Sequence, residues 1–203
     1  MAVTVEVQRT WDPVNLQTAN VAPRGGCAIV LVWHSQPAAI DAGVPPQVAT
    51  AIAGALVEMG DVAFRWSGEP RWRRDQAQHL REAGRGPYRR VSDWLRGAQP
   101  NEVVISRSVS VVSCLFDFAW ELQGQAVMVL DSLERNASPA TAALLTRRDL
   151  AGTELSQSTA IFMAPIVDGD GALLVGRSDA DMNRMIVCLR QAFGDSGVQF
   201  QAP

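Results

Sequence analysis

Apolar residues along this chain fall into short runs separated by turns rich in Gly and Pro, and the runs switch between two periods. Alternation at Val3–Val7 (VTVEV) predicts a first strand at a sheet edge. Cys27–Trp33 (CAIVLVW) is an unbroken apolar run, the pattern of a strand dry on both faces. Pro45 and Pro46 suit a first helical turn. After them Val48, Ile52, Leu56 and Met59 share one helical face, and Gly60 stops the helix. Asp61–Trp66 (DVAFRW) returns as a strand.

Pro70 and Pro87 each open a further helix, the first ending at Gly84 and Gly86, the second at Gly97. On the first, Arg71, Arg74, Gln78, Arg81 and Arg85 recur along one side, and Trp72, Gln76, Leu80 and Ala83 lie on another. On the second, Tyr88, Val91 and Leu95 align. Strands are expected at Glu102–Ser106 and Ala126–Leu130. Between them, residues 109–122 fit either period. Val112, Cys114, Phe116, Phe118, Trp120 and Leu122 alternate, whereas Val111, Cys114, Leu115, Phe118, Ala119 and Leu122 form a helical face; Gly124 as a stop favours helix.

Ser138-Pro139 caps a helix to about Leu150. Strands at Thr159–Val167 and Ala172–Val175 flank Asp168-Gly169-Asp170-Gly171, a hairpin turn. Ser178 caps a last helix with Met182, Met185, Ile186 and Leu189 inward, and Val198–Gln201 is a final strand. Strands that alternate with helices predict an α/β fold: a largely parallel or mixed central sheet flanked by helices, with an antiparallel hairpin near the C-terminus. The 203 residues are expected to form one domain.

Charge changes the picture in one place. Between Arg65 and Arg96 nine arginines face four acids, a local +5, so the remainder of the chain carries −8 to reach the formal −3. Trp66, Trp72, Tyr88 and Trp94 are threaded through the same stretch. Arginine and tryptophan are enriched at the desolvated centres of interfaces, and arginine binds carboxylates through a planar fork. Arg71, Trp72, Arg74, Arg81, Arg85, Arg89 and Trp94 are therefore the candidate partner-binding residues, with an acidic protein surface as the expected partner. Nucleic acid is the alternative, arginines on phosphates and rings on bases. Against it stand an isoelectric point near 5.4 and the neutral Gln78 interrupting the arginine row. A solvated helix pair, with Arg71–Asp75 and Arg89–Asp93 at i,i+4 spacing, is the plain reading.

All 18 basic residues are arginine. Either a GC-rich coding bias, bacterial or phage in source, or selection against exposed amines accounts for it. In both cases Schiff-base lysines and P-loop lysines are excluded. No apolar run reaches a membrane span, and no secretory leader pattern opens the chain. Three scattered cysteines (Cys27, Cys114, Cys188) fit buried positions and a reducing, cytoplasmic setting.

Catalytic chemistry has thin support. If strands run parallel, ligands gather beyond their carboxyl ends. Those positions hold His34 and Ser35, Ser67 and Glu69, Ser106 to Ser108 with Arg107, and Asp131 with Ser132. His34 as a base, with Asp131 and Ser35, is the candidate set for a hydrolase or transferase acting on an anionic substrate. Two histidines and isolated cysteines do not make a zinc pattern. Asp168-Gly169-Asp170-Gly171 fails as a calcium loop, because Ile166 and Arg177 fall where acids are needed. Arg24-Gly25-Gly26 precedes a strand rather than following one, so it is not a dinucleotide fingerprint. No cofactor is expected. The leading expectation is a non-catalytic interaction or adaptor component of a protein assembly.

Overall fold

The computed structural model describes residues 3–8, 26–35, 44–65, 103–113, 116, 126–130, 155, 157–165 and 171–202. Eight strands form one open sheet: β1 (Val3–Gln8), β2 (Cys27–Ser35), β3 (Asp61–Arg65), β4 (Val103–Ser106), β5 (Val127–Leu130), β6 (Thr159–Pro165), β7 (Gly171–Gly176) and β8 (Gln199–Gln201). Among the described residues three helices accompany them: α1 (Pro46–Met59), α2 (Val109–Ser113) and α3 (Asp179–Ser196). The strand order is β4-β3-β5-β6-β7-β2-β1-β8. Neighbours run antiparallel except β1 and β8, which are parallel. The fold is α/β with a mixed sheet, and β6–β7 is the expected C-terminal hairpin. Of the two sheet types expected, mixed is the one found.

The helical crossovers explain how parallel and antiparallel readings coexist. Strand β2 leads through α1 to β3, and these two strands point the same way, as a βαβ unit demands. They are not neighbours, however: β5, β6 and β7 lie between them. Likewise β7 leads through α3 to β8 in the same direction, with β2 and β1 inserted between. The three strands between β2 and β3 make every pairing there antiparallel, whereas the two between β7 and β8 leave β1 and β8 parallel. Strand β1 is consequently one position in from the edge, because β8 pairs on its outer side (Val5 opposite Phe200).

The core follows the period-2 alternation. Ile29, Leu31 and Trp33 of β2, Phe64 of β3, Val129 of β5, Ile161 and Met163 of β6 and Leu174 of β7 face the helices. There they meet Val48, Ile52 and Leu56 of α1, Val111 and Val112 of α2, and Met182, Met185, Leu189 and Phe193 of α3. The intervening residues, Val30, Ala63, Met128, Leu130, Phe162, Leu173 and Val175, form a second buried cluster. Double-sided burial is why β2 reads as a continuous apolar run, and β5 and β7 are buried on both faces too.

Helix α1 is alanine-rich on the side it buries (Ala49, Ala51, Ala53, Ala55), which lets α3 and α2 come close on either flank. It ends at Gly60, whose N–H donates to the Leu56 carbonyl at 3.2 Å. Helix α3 starts at Ser178, whose extended backbone and side chain cap the Asp181 N–H at 3.2 Å. It stops at Gly197 in the left-handed region (φ 72°), with the Val198 N–H returning to the Phe193 carbonyl at 3.2 Å. Phe193 then stacks on Phe200 of β8, ring centroids 5.1 Å apart, tying the last strand to the helix.

Helix α2 agrees with the helical reading of residues 109–122 over Val109–Ser113. The rest of that reading lies outside the described residues, except Phe116, which is buried. The helices expected after Pro70, Pro87 and Ser138 lie outside them too.

Candidate functional site

Antiparallel pairing sends successive strands to opposite ends of the sheet. Strands β1, β4, β5, β7 and β8 finish at one end; β2, β3 and β6 finish at the other. The carboxyl ends that would share one crevice in a parallel sheet are thereby divided. His34 and Ser35 close β2, their backbones paired with Thr4 and Val3. Ser106 closes β4 and Leu130 closes β5 at the opposite end. Val129, Ile161, Gly176 and Cys27 share one row across the sheet. With about 3.3 Å per residue along the strands and ~4.8 Å per strand across, His34 stands roughly 30 Å from the end of β5. Asp131, Ser67 and Glu69 lie outside the described residues.

The register explains the ion pair at the β3–β4 margin. Val62 is opposite Ser106, so Asp61, one residue before, meets Arg107, one residue beyond. The Arg107 Nε donates to Asp61 Oδ1. Arg107 is half exposed, so this pair is worth at most about 1 kcal/mol. Beside it a serine-rich turn satisfies itself: the Ser108 N–H donates to Ser106 Oγ at 3.0 Å, the hydroxyls of Ser108 and Ser110 are 2.9 Å apart, and Ser113 Oγ donates to the Ser110 carbonyl at 3.1 Å. These hydroxyls close the entry into α2.

A second polar cluster sits where β7 enters α3. Arg177 grips Asp181 through Nε (3.0 Å to Oδ2) and Nη2 (3.2 Å to Oδ1), and its Nη1 donates to the Gln157 carbonyl. Ser178 Oγ also donates to Asp181 Oδ2 at 2.7 Å. Ser-x-x-Asp preceding an apolar run, with arginine four residues before the acid, is the signal that marks this clasp in the letters. It locks β6, β7 and α3 together, with the Gly26 N–H donating to the Gly176 carbonyl at 3.0 Å alongside.

Cys27 and Cys188 are half-buried thiols packed against the helix-side core. Burial pushes the Cys188 thiol above its ordinary value, nearby Glu58 adds to the rise, and the Arg184 guanidinium opposes it. Cys114 lies outside the described residues. Among the described residues, no cluster of three or more His, Cys, Asp or Glu side chains is placed to hold a metal ion.

The third feature is topological. Strands β3 and β4 are adjacent and antiparallel, with Arg65 directly opposite Val103. A hairpin of two to five residues would join them. Instead, all of residues 66–102 intervene. This excursion contains every tryptophan, tyrosine and arginine of the charged segment except Arg65, which is the last residue of β3. The partner-binding candidates Arg71, Trp72, Arg74, Arg81, Arg85, Arg89 and Trp94 therefore belong to one insertion, rooted on a paired strand end beside the outermost strand β4. Their own positions lie outside the described residues.

Among the described residues no helix is long and apolar enough to cross a membrane. Comparison of the chain with protein-family models, with curated proteins and with solved structures finds no match.

Proposed function

We propose that this chain is a non-catalytic interaction component of a protein assembly, working in the cytoplasm and docking an acidic protein partner through the 65–96 segment. The observation that carries the reading is the insertion's placement. The connection 66–102, where folding needs only a short turn, carries eight arginines against five acids, a net +3, at the margin of an acidic body. Long excursions at such turns are where binding surfaces are built, since the scaffold is complete without them.

Asp61 and Asp181 are already engaged by Arg107 and Arg177, which lie outside the segment. Arginines at 71, 74, 81, 85 and 89 would form bidentate bonds to partner carboxylates, while Trp72 and Trp94 would supply buried anchors. An enzymatic reading draws no support from the described residues, where His34 and the end of β5 are far apart.

The test is a triple substitution, Trp72→Ala with Arg74→Ala and Arg81→Ala. The parent chain, used as bait in nuclease-treated extract of its source cells, is expected to recover a partner. The variant is expected to lose at least tenfold of that recovery, because removal of one interface tryptophan or arginine at a hot spot costs about 2 kcal/mol or more. Equal recovery by both chains overturns the proposal. Recovery that disappears with nuclease and falls steeply with salt assigns the segment to nucleic acid instead.

A further inference from the structure

We draw no further inference here: the strongest candidate, the outward side of α3 around the exposed Val187 with Arg184 and Arg190, carries nothing because no feature of the structure shows what would cover it.

Discussion

Two glycines of α1 and its C-terminus provide a matched experiment on the packing of this fold. Gly60 joins α1 to β3, and its backbone lies against β5. A methyl group built there would lie deep inside the van der Waals radius of the Leu130 carbonyl oxygen and 3.2 Å from Val129 Cγ1. The carbonyl is backbone in a strand paired on both sides, so it cannot rotate away as a side chain would. Gly60→Ala must therefore push α1 off β5, and overpacking of this kind costs about 1–3 kcal/mol. Gly54 lies inside the same helix. A methyl there meets only Ala192 Cβ, at an ordinary 4.0 Å. Gly54→Ala removes the glycine penalty of a helix interior and should stabilise by about 0.5–1 kcal/mol. The same added atom thus acts with opposite sign six residues apart. Equilibrium urea unfolding, followed by far-UV circular dichroism, reads both. With a slope of ~1–3 kcal/mol per molar, a loss of about 2 kcal/mol moves the midpoint by roughly 1 M downward, and Gly54→Ala moves it upward. A Gly60→Ala midpoint at or above that of the parent would refute the close approach of α1 to β5.

Removal of the Ser178 hydroxyl strips α3 of its cap and Asp181 of one donor; Ser178→Ala should cost about 1 kcal/mol by thermal unfolding, and Ser178→Asn should restore most of it. No loss in the alanine variant would place the helix start elsewhere. Cys188, with its thiol held above the ordinary value by burial, should alkylate more slowly at neutral pH than a free thiol, read at that site by mass spectrometry. The raised value means that the folded state favours the protonated thiol. This contribution is full below the unfolded thiol pKa of ~8.5 and is lost as pH rises through the folded value. Stability of Cys188→Ala should therefore fall less than that of the parent on the alkaline side, and an identical alkaline slope would contradict the assignment.

Much of the element map was legible from the letters alone, because it depends on local period and on chain chemistry. Val48, Ile52, Leu56 and Met59 repeat at helical spacing whatever their neighbours are, and a glycine after them stops a helix locally. Ser178 marks the start of α3 by its own hydroxyl. The unbroken apolar run of β2 states that the strand packs on both faces, as its residues in two buried clusters show. It does not state strand direction, since burial is a property of the faces and direction is a property of pairing. Pairing was decided by tertiary structure: β5, β6 and β7 entered between β2 and β3, while β2 and β1 entered between β7 and β8. Those insertions turned a series of βαβ units into a mostly antiparallel sheet. They also separated His34 from the end of β5, a consequence that no one-dimensional pattern carries. The charged, tryptophan-bearing segment was visible as composition. That it is the connection between two paired neighbours, Arg65 and Val103, became visible only when the backbone hydrogen bonds of β3 and β4 closed the ladder. The sequence determined which residues would be dry, capped or charged, because those follow from side chains and near neighbours. The fold decided which of them meet, because meeting depends on the order in which distant strands share hydrogen bonds.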